Sequence, residues 1–478
     1  MRKRRYKLGG LSVCAAALAL SVLASLPLHG SGVRARYHQH LEESHYTPCG
    51  DHGDERFCSH LPLILIDTGG VEIPGREETD PSGQKYCTLA EDGSDRIAAN
   101  IKAIRNTGSN NHPDDDPAHS SPIIIHVRGN TSRAFDKSGY SFRLVDEDGG
   151  NNPLPLLGMD AHHEWALHGP FMDKTLMRNY MWYNIGGEIM EYAPNVRFCE
   201  LILNGQYQGL YVLTEKITAG NNGARLNLTV NAKNGTFSGY LLQLNGGRPP
   251  SNELLADQFT YYALRTRYQL NIEFPGAQNL TPEMDTAIAK DFSAFEKALY
   301  SYDYDSGEYG YRRLIDTESF IDYFLINELT CNYDAGWLST FIYKGLDGRY
   351  RMVLWDMNSC CDNYADSQTE PMAFQMQNCL WFSMLFKDED FTGQLIRRYR
   401  ELRKTVFDPD YLCGYIDDVA GYLGPAAERN FRVWGYTFEQ SEDMLNPTER
   451  NPRSYQQAVE QMKDFIIRRV AWMDERCV

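Results

Sequence analysis

The dipeptide Asn204-Gly205 sits between VRFCELIL and QYQGLYVLTEKI, two runs rich in β-branched and aromatic residues, and commits this stretch to an antiparallel hairpin. An Asn-Gly turn accepts positive φ at both central positions and twists as its strands do, which makes it the strongest short-range signal for paired strands. Strand character extends outward from this hairpin. LPLILIDT (61–68) is a continuous apolar run, PIIIHVRGN reads as a strand, SGYSFRLVD alternates apolar and polar positions, and SGYLLQLN adds another strand. One helix is inserted, DKTLMRNYMWYNIGGEIM, opened by Asp173 as an N-cap. Beyond Pro282 the spacing turns helical, with helices near 388–405, 410–430 and 455–474. These patterns predict a mixed α+β fold, with a sheet-rich lobe over about 61–245, a helix-rich lobe over about 246–478 and a cleft between.

The 478 residues suffice for such a core, and their formal charge of −17 argues against sequence-independent nucleic-acid binding, which needs a basic surface. Cations or a basic partner suit this charge better. The opening MRKRRYK precedes an uncharged apolar run from Leu8 to Leu28, with Val22-Leu23-Ala24 as a small-residue cleavage site. Residues 1–28 therefore read as a signal peptide or, uncleaved, a membrane anchor, and both place the folded part outside the cytoplasm. Residues 29–60 are polar and rich in histidine and carry Cys49 and Cys58. Their spacing fits no standard ligand set, which favours a disulfide-pinned linker over a metal site. Of eleven cysteines, Cys14 falls in the leader, and the even number that remains permits disulfides in an exported chain.

The candidate chemistry centres on NELTCNYDAGWLSTFIYKGLDGRYRMVLWDMN (327–358). Asp334 falls just past a helix end, and Asp356 lies at the far end of a strand-turn-strand unit built on Leu346-Asp347-Gly348. A hairpin brings its two ends together, so the carboxylates share one cleft. One suits orienting a hydroxyl nucleophile and the other a divalent cation on nucleotide phosphates, although each alone is equally a turn or cap residue. Upstream, HVRGNTSRAFDKSGYSFRL offers backbone N–H groups with Arg128, Arg133 and Lys137 to phosphate, against the reading of an ordinary hairpin connection. Asp173, Arg178 and Asn179 share a helix or its approach, and Glu215 ends the strand YVLTEK, where it either fixes a phosphate-binding lysine or is a strand-end charge.

In order along the chain, LPLILIDT, RGNTSRAFDKSGYSFRL, WALHGPFMDKTLMRNY, LILNGQYQGLYVLTEKI and NYDAG…WDMN resemble the CotH kinase family, named for spore coat protein H, over roughly residues 61 to 400. The resemblance implies an atypical protein-kinase-like fold. It also implies a secreted or surface enzyme that transfers the γ-phosphoryl of ATP to serine of coat or surface proteins, with Mg²⁺ or Mn²⁺. Asp334 then looks like the catalytic aspartate and Asp356 like the metal ligand. Lys137 and Glu215 would be the nucleotide-positioning pair, with Arg128 and Arg178 as phosphate contacts. Two departures stand out: Ser339 replaces an Asn common in relatives, and Asn358 replaces a frequent second acid, although its amide oxygen can still ligate Mg²⁺. They keep open a second reading, a catalytically weak or inactive CotH-like binding protein of a coat or cell surface. A metal-dependent hydrolase would want a histidine ligand near either aspartate, and none is adjacent in sequence.

Overall fold

The computed structural model describes residues 33–49, 56–220, 225–245, 258–264 and 268–476. The leader expected over 1–28 lies outside these residues, and among them no helix is long and apolar enough to cross a membrane. The chain is mixed α+β, with a sheet-rich N-terminal half and a helical C-terminal half.

The N-terminal half contributes β1 (Leu63–Asp67), β2 (Glu77–Thr79), β3 (Lys85–Cys87), β4 (Ile97–Ile104), β5 (His119–Arg128), β6 (Gly139–Leu144), β7 (Glu164–His168), β8 (Val196–Leu203) and β9 (Gln206–Glu215). Seven of them close into a barrel in the order β1-β4-β5-β6-β7-β9-β8, while β2 and β3 form a separate ribbon. Every neighbour pair in the barrel is antiparallel except β1 with β8, whose parallel pairing closes it. Closure removes the exposed edges that an open sheet would carry. Period-two alternation fills the barrel: Ile123, Ile125 and Val127 of β5 point inward with Phe142, Leu144, Trp165, Leu167, Leu201 and Leu213. Strand β8 and the second half of β9 are buried on both faces, because the helices Arg178–Ile189 and Pro409–Trp434 cover them outside. The turn at Asn204 and Gly205 has the expected positive φ at both residues, 49° and 77°.

Past β9, strands β10 (Val230–Asn231) and β11 (Thr236–Phe237) form a short ribbon. A second antiparallel sheet then runs β13-β12-β14-β15, from β12 (Tyr240–Asn245), β13 (Leu270–Phe274), β14 (Leu338–Lys344) and β15 (Tyr350–Val353). SGYLLQLN therefore belongs to the sheet of the helical half, and the barrel ends near residue 215 rather than 245. The Pro282–Leu299 and Thr317–Thr330 helices back this sheet through Phe292, Phe295, Phe320 and Tyr350, which join Trp381 and Phe382 in the larger core.

Residues 33–49, expected as linker, pack into the body. Gln39 and His40 are buried, Phe198 N donates to Gln39 Oε1 at 2.7 Å, and His38 bridges Glu188 and Tyr415 at 2.8 and 3.0 Å. The disulfides allowed by the cysteine count are not formed among the described residues, where all nine cysteines are free thiols. Cys199, Cys331, Cys360 and Cys361 are instead spent as small buried side chains.

Burial also fixes a response to acid. It lowers the pKa of His40 to about 3 and of His126 to about 4, and holds His168 well below the ordinary 6.5. Unfolded, each imidazole takes a proton near pH 6.5, so the unfolded chain binds more protons and stability falls as pH drops from about 6.5 towards 4. On urea unfolding between pH 7 and 4.5 these imidazoles contribute uptake of roughly two to three protons, offset in part by Asp322, whose pKa burial raises to about 6 so that the folded chain holds its proton. His40→Gln should remove about one of them. A slope unchanged in that variant contradicts the assignment of His40.

Candidate active site

Asp356 sits three residues past β15, on a loop that three side chains of the Arg178–Ile189 helix hold by its backbone. Asp356 N donates to Tyr183 Oη at 2.9 Å, Met357 N donates to Asn179 Oδ1 at 3.0 Å, and Arg178 donates to the carbonyls of Cys360 and Cys361 at 3.0 and 3.1 Å. Arg178 is itself buried against Asp173, which also accepts from Arg178 N at 2.9 Å. The helix thus starts at Arg178 rather than Asp173, and Asp173 caps it from five residues upstream. Gly186 lets this helix approach closely, since a Cβ there would collide with Leu354. Burial would lower the pKa of Arg178, but Asp173 overrides it and raises it, which keeps the guanidinium charged. Arg178 is therefore a positioning residue for the loop and lies outside the larger cleft described below.

Asp334 follows the Thr317–Thr330 helix, which Asp316 caps by accepting from Ser319 N at 3.1 Å and Cys331 ends in the left-handed conformation (φ 45°). Its carboxylate lies 3.2 Å from Ser359 Oγ, on the loop after Asp356. Asn332 completes the link by donating to the Asp356 carbonyl at 3.3 Å. The hairpin between the aspartates is formed, with β14 and β15 paired from Phe341 to Val353. Ser339, at the base of β14, donates to Asp356 Oδ2 at 3.0 Å. Among the described residues no basic side chain comes within ion-pair distance of Asp356. Asn358 is exposed two residues on.

Backbone strain collects at the same place. Cys331, Ser339, Asp356, Cys361 and Asp362 all hold positive φ, at 45°, 48°, 59°, 50° and 58°. Non-glycine residues in this region cost energy and persist where the surroundings over-determine them, as at ligand clamps and active sites.

Beside this loop a cleft of about 680 Å³ opens between the barrel and the second sheet, a size that suits a small organic ligand. Trp355, next to Asp356, forms part of its wall, with Phe341, Leu241 and Ile217 as apolar lining. Arg128, one of the expected phosphate contacts, also lines it: Nη1 donates to His168 Nδ1 at 2.8 Å and the guanidinium lies over Trp355 at 5.6 Å. Burial and this guanidinium together keep His168 neutral and able to accept.

The expected pair of Lys137 with Glu215 is not formed. Lys137 is buried between barrel and helix, where Nζ donates to Leu210 O and Asn430 Oδ1, both at 2.7 Å. Burial, then the nearby Lys174, drives its pKa well below the ordinary lysine value. Glu215 faces away from the cleft, accepting from Asn195 N at 2.9 Å and lying 3.4 Å from Arg225. The residue after it turns inward: Lys216 Nζ pairs with Glu164 Oε2 at 2.8 Å, and both line the cleft. Burial works against the Glu164 carboxylate, but Lys216 outweighs it and its pKa sits below the ordinary value. Glu273 lines the same wall with its side chain exposed, and desolvation by the surrounding cleft pushes its carboxyl up. Strand parity separates Lys216 from Glu215, since alternate residues of YVLTEK face opposite sides.

The Asp356 carboxylate, with the Ser339 hydroxyl on it, thus follows Trp355 in the wall of a cleft that carries an internal Lys–Glu pair and Arg128. The family described as CotH kinase protein matches residues 125–473, and the chain belongs to that family. It is thereby a kinase-like protein. No curated protein matches the chain.

Proposed function

We propose that this chain is an extracytoplasmic protein kinase of atypical fold that transfers the γ-phosphoryl of ATP to serine of a coat or surface protein. The observation that carries the reading is the partly buried Asp356 carboxylate, held by Ser339 with no basic side chain at ion-pair distance among the described residues and set beside a cleft lined by Lys216, Glu164 and Arg128. Such a carboxylate fits a hard divalent cation, Mg²⁺ or Mn²⁺, with Asn358 and Ser339 as further oxygen donors. Bound there, the ion would neutralise phosphate charge. Lys216, fixed by Glu164, and Arg128 supply fixed positive charge along the cleft for the nucleotide phosphates. Asp334, held next to Ser359, orients the serine hydroxyl and accepts its proton as the P–O bond forms. The acidic surface favours a basic protein substrate.

Lys216→Met is expected to weaken ATP binding about 10- to 100-fold, the worth of one charge-assisted hydrogen bond. Lys137→Met should leave the affinity of the folded protein unchanged. Isothermal titration with Mg²⁺-ATP checks both. Folded wild-type chain that binds no nucleotide with either metal would overturn the kinase reading in favour of a binding protein, a reading that Ser339 and Asn358 already support by replacing stronger ligands.

A further inference from the structure

We propose that Cys49, Cys58 and His112 bind a thiophilic divalent cation, zinc first of all, and that this ion clasps the N-terminal segment to the barrel. All three lie outside the residues matched by the family. The two Sγ atoms and an imidazole nitrogen of His112 come within 4.8 Å of one another, and Cys49 Sγ is 3.8 Å from His112 Nε2. Ligands at tetrahedral zinc distances stand about 3.5–3.8 Å apart, so only a small contraction is needed.

The surroundings are those of a ligand set. His112 turns its other nitrogen, Nδ1, to Asp115 Oδ2 at 3.3 Å. That carboxylate is fixed by His112 N at 2.8 Å and Asn106 Nδ2 at 2.6 Å. A carboxylate behind a histidine selects the tautomer that leaves Nε2 to coordinate and raises its basicity. Asn110 Nδ2 donates to Cys58 Sγ at 3.0 Å and to Thr47 O at 2.7 Å, so one side chain steadies a sulfur and the segment that brings the other. Mixed sulfur and nitrogen donors select zinc over the hard cations suited to Asp356. Three protein ligands leave a fourth position to water or a small exogenous ligand.

The geometry also gives the ion a role. Cys49 and Cys58 belong to the segment before β1, whereas His112 lies on the loop joining β4 and β5. Polar ties already join them: Ser59 pairs with Asn111 as an isolated bridge, Asn111 Nδ2 donates to the Leu61 carbonyl at 3.1 Å, and Arg56 pairs with Asp114 at the surface. A metal across them adds a strong link between parts distant in sequence, with release of the thiol protons on binding.

The test uses the full chain, purified under reducing conditions, incubated with zinc sulfate and desalted, with zinc counted by plasma mass spectrometry. About one zinc per chain is expected, lost in Cys58→Ser and His112→Gln and kept in the remote Cys379→Ser. Asp115→Asn, which removes no ligand, should weaken zinc 10- to 100-fold in competition with a chromophoric chelator. Cobalt(II) in the wild type should give thiolate charge-transfer absorption, a readout that stands even where a cysteine variant fails to fold. Zinc content near zero, affinity unchanged in Asp115→Asn, or recovery of a Cys49–Cys58 disulfide peptide from the zinc-treated chain would each overturn the proposal.

Discussion

Asp356→Asn is expected to abolish phosphate incorporation, by about 10³-fold or more, while leaving the chain folded. The substitution suits the site because Asp356 holds φ 59°, a conformation asparagine tolerates better than almost any other side chain. Its backbone bonds to Tyr183 and Asn332 do not depend on the carboxylate, and Ser339 can donate to the amide oxygen as it does to Oδ2. No ion-paired cation is left stranded among the described residues, so the variant removes charge and little else. Asp334→Asn should lose activity to a similar degree but retain Mn²⁺ binding, since that carboxylate is assigned to the hydroxyl. Radiolabelled phosphate transfer, Mn²⁺ titration and a thermal melt separate the two. Transfer within tenfold of wild type in folded Asp356→Asn would remove Asp356 from the site.

Local signals carried the sequence reading where chemistry is local. Asn204-Gly205 and Leu346-Asp347-Gly348 mark hairpins that formed as expected, and the helix before Asp334 ends where its pattern stops. The loops that carry Asp334 and Asp356 are bonded through Ser359 and Asn332 because a hairpin must join its own ends. Lys137 was misplaced for the opposite reason: its partner Asn430 lies 293 residues away, and burial against a distant helix leaves no local mark. Lys216 pairs with Glu164 across 52 residues, through the neighbouring strands β7 and β9. Parity along YVLTEK separates Glu215 from Lys216 but does not say which face meets the cleft. Barrel closure by parallel β1 and β8 is likewise invisible to periodicity, and so was the packing of residues 33–49, whose polar side chains are satisfied by partners far along the chain.

The largest loss of stability is expected from Arg469→Ala. Arg469 and Glu328 are both fully buried and joined Nη2 to Oε1 at 2.5 Å. The arginine also donates to the carbonyls of Pro371 and Ala373, both at 2.7 Å, and of Glu328 at 3.1 Å, while Glu328 accepts from Gln375 N and Met376 N at 2.8 and 2.9 Å. One pair therefore ties the Tyr455–Arg476 helix, the 371–376 loop and the Thr317–Thr330 helix together. Truncating the arginine leaves a carboxylate without its cation and the Pro371 and Ala373 carbonyls without their donor, while the Glu328 carbonyl keeps Cys331 N, a loss of about 3–5 kcal/mol. Against a total of about 5–15 kcal/mol for a domain, that is enough to unfold much of the population at 37 °C. Glu328 lies six residues before Asp334 on the same helix and its exit, so activity should fall with the folded fraction. Replacing both partners, Glu328→Gln with Arg469→Met, should recover part of the loss, because no charge is then buried alone. Urea denaturation of the two variants beside the wild type reads the outcome; a cost below about 1 kcal/mol for Arg469→Ala would mean that water reaches Glu328 and that the pair does not hold the helix leading to Asp334.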